Sequence, residues 1–176
     1  MFEGMSLTSL AGQLVSLVAL GLCIVGFASK RDDRLMLLLI SANVAFALQF
    51  ALFGSWTAAI LSLLVIGRIM LARRYVGSWR VLLAVLAVNL IAAVLTWQSA
   101  VDIFAIAAAV FGSVGMFMLR GIPMRLMLAA AAVAWMLNNI AIGSIGGTLA
   151  EAMVLVTNFI TIYRLARMKR RYPGVF

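Results

Sequence analysis

Long apolar stretches make up most of the chain, and short groups of polar or charged residues separate them. Each stretch holds about 20 residues, which is the length that an α-helix needs to cross the hydrocarbon core of a bilayer. The sequence does not show the alternating segments of about 10 residues that are typical of membrane barrels. The pattern predicts seven membrane-spanning helices, at residues 8–28, 35–53, 56–72, 80–97, 102–119, 125–142 and 147–165.

The composition supports lipid as the solvent of this chain. Hydrophobic residues make up 66% of the 176 residues, and the mean hydropathy is +1.17. An ordinary soluble domain holds about 45–50% of such residues. The predicted fold class is therefore an all-α membrane protein, with residues 1–176 forming one membrane domain.

Basic residues are distributed unevenly among the connections. They follow spans 1, 3, 5 and 7, whereas the N-terminal stretch and the turns at residues 54–55 and 143–146 have none. Seven crossings bring all the basic groups to one face, which the positive-inside rule makes cytoplasmic. We expect a multi-pass protein of the bacterial inner membrane, with its N-terminus outside and a basic tail, residues 166–176, inside. Arg68 is expected to snorkel to this basic face.

The charge and residue types also exclude several functions. The net charge of +9 is explained by topology, so we predict no nucleic-acid partner. The chain has no histidine and one cysteine, Cys23, which excludes histidine metal ligands and Ser-His or Cys-His catalysis. We find neither a nucleophile–base pair nor a phosphate-binding glycine loop. The sequence therefore predicts no enzyme activity, no cofactor and no metal.

The two halves of the chain resemble each other. The letters RLMLLL from Arg34 are echoed by RLMLAA from Arg125, and LQFALFGS ending at Ser55 by LNNIAIGS ending at Ser144. This predicts two parallel three-helix repeats, at about residues 8–74 and 101–165, joined by a linker helix at about 79–97. Parallel repeats recur in secondary transporters, which bind their substrates near the midplane at the repeat interface.

Polar residues inside the spans gather at one height. A rise of about 1.5 Å per residue places Gln13, Gln49, Asn138, Asn139 and Glu151 roughly 6–8 Å to the outer side of the midplane. Trp135 lies on the same helix face as the two asparagines. We therefore predict a polar pocket in the outer half of the bundle, walled by spans 1, 2, 6 and 7. Its candidate substrate-binding residues are Trp135, Asn138, Asn139, Glu151, Asn158, Gln13 and Gln49.

Each of these residues also has a simpler interpretation. Glu151, the one acid that we place inside a span, is either a protonatable or cation-binding group or a carboxyl that stays wet or bonds the neighbouring amides. The asparagines are interhelical hydrogen-bonding groups in the simpler view. Trp135 then serves packing rather than substrate contact.

The segment 135–171, WMLNNIAIGSIGGTLAEAMVLVTNFITIYRLARMKRR, resembles the YgjV family of bacterial inner-membrane proteins. This family is grouped with the MtN3/PQ-loop-like superfamily, which includes the SWEET sugar transporters. The resemblance implies two triple-helix bundles joined by span 4. The proline of a PQ motif is missing, because Gly12-Gln13 stands at the corresponding place.

Two functional hypotheses follow. The first is a small-solute transporter that works by alternating access through the polar pocket. The second is a membrane receptor, lipid-binding protein or assembly protein that does not transport. Membrane lipid and a small solute are the predicted partners, and association into a homo-oligomer is left open.

Overall fold

The computed structural model describes residues 6–28 and 32–171, and these residues form seven α-helices. The helices are α1 (Leu7–Ala28), α2 (Asp32–Leu52), α3 (Trp56–Arg74), α4 (Trp79–Thr96), α5 (Asp102–Met118), α6 (Gly121–Ala141) and α7 (Ile145–Arg171). The prediction of an all-helical chain is confirmed. Helix α7 continues to Arg171, so the first residues of the predicted tail are helical. Residues 172–176 of that tail lie outside the described residues. So do Lys30 and Arg31, which follow the first span.

Five helices within the described ranges are long and apolar enough to cross a membrane, namely α1, α3, α4, α6 and α7. The apolar part of α2, Leu37–Leu52, and the whole of α5 are apolar but shorter. At about 1.5 Å per residue, the 17 residues of α5 span roughly 25 Å, slightly less than the hydrocarbon core of a typical bilayer.

Short connections place consecutive helices side by side. Helix α1 contacts α2 and α7, α6 lies between α5 and α7, and α3 contacts α2, α4 and α5. Helix α4 lies at the edge, where α3 and α5 are its neighbours. The connections α2–α3, α4–α5 and α6–α7 form one end of the bundle, which we call the turn end. The opposite end holds the connections α3–α4 and α5–α6, and we call it the basic end.

Two glycine turns shape the turn end. Gly54 and Gly143 both have a φ of 77°, in the left-handed region that glycine adopts at little cost. The residue after each glycine is a buried serine whose N–H donates back to the preceding helix. Ser55 donates to the Phe50 carbonyl and Ser144 to the Asn139 carbonyl, each at 2.8 Å.

Many of the buried apolar residues are alanines, and many of the large apolar residues face outward. Alanines at positions such as 19, 58, 105 and 108 are fully buried, whereas Leu95 is 79% exposed and Val94 68%. Large side chains on the outside suit acyl chains, and small ones inside let helix backbones approach closely. At Gly146 this approach is so close that a Cβ atom would lie 2.5 Å from the backbone carbonyl carbon of Ser16.

Candidate functional site

A cavity of about 320 Å³ lies inside the bundle, and α1, α2, α3, α5, α6 and α7 all contribute to its wall. We call it the central cavity. Much of its wall is apolar, but it also contains the charged side chains of Arg68, Arg125 and Glu151. Polar groups in the wall come from Asn43, Ser62, Thr157 and Asn158. The cavity therefore offers both basic and acidic side chains to whatever occupies it.

Aromatic rings limit the central cavity on the side of the turn end. The rings of Phe50 and Trp135 stack with their centroids 5.4 Å apart and their planes 20° apart. Glu151 is half-buried on α7 and lines the cavity together with these rings. From here the cavity extends towards the basic end, where Arg125 and Asn158 line it.

A buried polar layer lies between the aromatic pair and the turn end. Gln49 Nε2 donates to Asn139 Oδ1 at 2.9 Å, and Asn139 Nδ2 donates to the Trp135 carbonyl at 3.0 Å. Gln49 and Asn139 are 0% and 1% exposed. Asn138 is also fully buried, and its side-chain atoms have no hydrogen-bond partner within the described part of the chain.

Gln13 connects α1 to the α6–α7 turn in the same region. Its Nε2 donates to the Gly143 carbonyl at 2.6 Å, and its Oε1 accepts from the Ile145 N–H at 3.1 Å. Gly147 packs so closely on the Asn139 side chain that a Cβ atom at this position would overlap its amide oxygen. The amide layer is therefore filled by protein atoms.

The structure divides the seven candidate residues into two groups. Trp135, Glu151 and Asn158 line the central cavity. Four lie nearer the turn end and outside its wall, namely Gln13, Gln49, Asn138 and Asn139. The open space thus lies on the basic-end side of the layer in which the sequence suggested a pocket. The physical reason is the close approach of the helices at Gly146 and Gly147.

Arg68 is a cavity residue that the sequence analysis did not select. The expectation that it snorkels to the surface is wrong, because its side chain is only 7% exposed. Its Nη1 donates to the Ala109 carbonyl at 3.1 Å, and the guanidinium occupies the space over Gly112. Gly112 leaves room on α5 for this guanidinium, because a Cβ atom there would overlap it.

Arg125 is the second guanidinium in the wall. It is the fifth residue of α6, and its Nη1 donates to Asn158 Oδ1 at 3.4 Å. Asn158 Nδ2 in turn donates to the Val154 carbonyl within α7 at 3.0 Å. The Arg125–Asn158 pair links α6 and α7 near the basic end. The sequence analysis had used Arg125 for topology and for the internal repeat, and had not selected it as a site residue.

The described residues contain no group of three or more acid or cysteine side chains that could hold a metal ion.

The sequence pattern of a family described as a bacterial inner membrane protein family, Imp-YgjV, matches residues 10–169. The chain belongs to the YgjV family. The inner membrane protein YgjV of Escherichia coli (strain K12) is 23% identical over 159 residues, which cover 90% of this chain and 86% of that protein.

Membership in the YgjV family confirms the resemblance found in residues 135–171 and makes this a bacterial inner-membrane protein. No solved structure matches the chain.

Proposed function

We propose that this protein carries a small solute across the inner membrane by alternating access, without catalysing a reaction, and that the central cavity binds the solute. The observation that carries the proposal is a cavity of about 320 Å³ that holds Arg68, Arg125 and Glu151 inside a membrane bundle. Charged groups in such a place are costly and are characteristic of solute or ion pathways. The volume lies at the small end of the range of about 300–1,000 Å³ for ligand pockets.

We further propose that α1–α3 and α5–α7 are two parallel repeats of the PQ-loop and SWEET-like type, with α4 as linker. The helix contacts support this, because α1 contacts α2 and α7 while α5 contacts α6 and α3. If α1, α2 and α3 exchange places with α5, α6 and α7, these four helix contacts map onto one another.

The cavity wall supports the same arrangement. Six of its residues from α2 and α3 have a counterpart 89 residues later that also lines the cavity. The pairs are Asn43 and Ala132, Phe46 and Trp135, Ser62 and Glu151, Val65 and Val154, Arg68 and Thr157, and Ile69 and Asn158. The glycine turns at Gly54 and Gly143 obey the same spacing. A cavity between two repeats is where parallel-repeat transporters bind substrate.

We propose the orientation with the N-terminus outside and the basic end in the cytoplasm, because the arginines and lysines mark that end. The described form is then closed on the outer side by the Phe50–Trp135 stack and the amide layer, and its cavity extends inward. In the transport cycle the contacts of this layer separate while the basic end closes. Impermeant labelling of single cysteines at each end, in a Cys23→Ser background, checks the orientation.

We assign the charged and aromatic groups separate roles. Glu151 holds a cation or a proton beside the Trp135 ring, since a carboxylate and an aromatic face both favour positive charge. Asn158 and Arg125 form the polar contact on the inner side. In this proposal the four amides of the layer nearer the turn end belong to the outer gate.

The test begins with a thermal-shift screen of the purified protein against metabolites, because a ligand that binds the folded state raises its stability. Any ligand found is then tested for uptake and efflux in proteoliposomes. We expect Glu151→Gln to abolish transport while the protein stays folded. Ser41→Ala is the control, because its hydroxyl donates to the Leu37 carbonyl of its own helix and lies outside the cavity wall.

Unchanged transport in Glu151→Gln would remove this carboxyl from the mechanism. A ligand that binds with high affinity but never crosses the bilayer, in a protein whose turn end stays closed to labelling, would instead favour the non-transporting receptor.

A further inference from the structure

A groove on the outer surface of the bundle runs between α3 and α4, with a volume of about 420 Å³. We call it the α3–α4 groove. Its α3 wall is formed by Leu64, Gly67, Arg68 and Leu71, which follow the spacing of a single helix face. Its α4 wall runs from Arg80 to Asn89, over about 13 Å of helix. The groove therefore follows the direction in which a lipid acyl chain lies in a bilayer.

Gly67 contributes to the open space of this groove rather than to a close contact between helices. A Cβ atom at Gly67 would meet nothing within 4 Å, whereas one at Gly112 would meet Arg68 and one at Gly146 would meet Ser16. Glycine inside a helix is destabilising relative to alanine, so it normally serves a close approach. Within the described residues no such approach occurs at Gly67. The space over it is open to a molecule from outside the chain.

The groove is apolar except at two arginines and one asparagine. Leu71, Ala84 and Val88 are exposed along it, which gives acyl chains access. Arg80 is the second residue of α4, so an exposed positive charge lies at the basic end of the groove. Arg68 lines the groove deeper in the membrane. Its side chain is buried, with 7% of its surface exposed, and its Nε has no hydrogen-bond partner within the described residues.

We propose that the α3–α4 groove is a binding site for one anionic phospholipid. The lipid phosphate lies against Arg80, and an acyl chain covers Gly67. Basic pockets between helices at the cytoplasmic side of a membrane are suited to anionic headgroups. This proposal does not rest on solute transport: Arg68 also lines the central cavity, but Gly67 and Arg80 lie outside that cavity, in the groove between α3 and α4.

The test measures lipid binding to the purified full chain in neutral detergent by native mass spectrometry. Dioleoyl phosphatidylglycerol is titrated in parallel with dioleoyl phosphatidylcholine. We expect the first phosphatidylglycerol to bind more tightly than phosphatidylcholine. Arg80→Gln should weaken it about fivefold, the loss of one arginine near an anionic surface. Gly67→Phe should weaken it more, because the phenyl ring fills the groove.

Matched controls separate this site from general surface charge. Gly21→Phe makes the same change in α1, at a position where no atom of the described residues lies within 4 Å. Arg73→Gln removes an exposed arginine that lies two residues from Leu71 and therefore on the opposite side of α3. Both controls should keep phosphatidylglycerol binding within twofold of the parent protein. Inorganic phosphate, which has no acyl chain, should not displace the lipid.

Equal affinity for the two lipids, or unchanged phosphatidylglycerol binding in Gly67→Phe, overturns the proposal. Displacement by inorganic phosphate alone also overturns it, since the ligand would then be a free anion. Loss of a dimer in Gly67→Phe with unchanged lipid binding would show a second copy of the chain in the groove. If Gly67→Phe does not melt cooperatively, phosphatidylglycerol binding by Gly67→Leu and Arg80→Gln tests the proposal in its place.

Discussion

Gly146 provides the sharpest test of the helix packing at the turn end. It is the second residue of α7, and its Cα faces the backbone of Ser16 in α1. The methyl group of Gly146→Ala would lie 2.5 Å from the Ser16 carbonyl carbon and 2.6 Å from the Ser16 carbonyl oxygen. Comfortable carbon contacts need about 3.5 Å, so α1 and α7 have to separate by about 1 Å.

The cost follows from the contacts that this separation disturbs. Overpacking of a close-packed interior costs about 2 kcal/mol. Gln13, which bonds the Gly143 carbonyl and the Ile145 N–H, spans the same interface, and weakening both bonds costs about 1 kcal/mol more. We expect Gly146→Ala to lower the free energy of unfolding by about 3 kcal/mol.

The assay is SDS titration of the protein in mixed micelles, with unfolding followed by circular dichroism. Gly21→Ala is the matched control, because its new methyl group lies inside α1 and meets no atom of the described part of the chain within 4 Å. The control should raise the free energy of unfolding by about 0.5–1 kcal/mol, the helical advantage of alanine over glycine. The same change from glycine to alanine is therefore expected to lower the free energy of unfolding at position 146 and to raise it at position 21. If Gly146→Ala is as stable as Gly21→Ala, the close contact of α1 and α7 is refuted.

Two further stability predictions use the same titration. Gln49→Leu leaves the buried Asn139 amide oxygen without its donor and should cost about 1–3 kcal/mol; a neutral result would show that water or another group replaces Gln49. Gly143→Ala places a side chain at a φ of 77° and should cost about 1–2 kcal/mol, with Gly143→Asn costing less because asparagine tolerates this region; equal costs for both would contradict the role of backbone conformation.

The helices and the amide layer were accessible from the sequence because both depend on position along a helix. The length of an apolar run fixes where a helix lies, and the rise per residue fixes the height of each side chain. Gln49 and Asn139, placed at one height from the sequence, are joined by a hydrogen bond of 2.9 Å in the structure. The general resemblance to the YgjV family was likewise carried by the letters of α6 and α7.

The position of the central cavity could not be predicted from the sequence in this way. Whether an amide layer encloses a pocket depends on how closely the helices approach, and this depends on which faces Gly146 and Gly147 turn to their neighbours. Arg68 shows the same limit. Its side chain is long enough to snorkel from its place in α3, but the gap over Gly112 and the Ala109 carbonyl hold it inside. The depth of a residue in a span does not reveal such a partner on another helix.

The unequal residues at matching cavity positions have a consequence for how the chain can be assembled. The carboxyl of Glu151 has Ser62 as its counterpart, and the guanidinium of Arg68 has Thr157. A symmetric dimer of the N-terminal half alone would bring two Arg68 guanidiniums into one low-dielectric space, with no acid among the cavity residues of that half. Like charges repel strongly in such surroundings. Under the proposed repeats, joining a second and different half is what brings the carboxyl of Glu151 into the same cavity as Arg68.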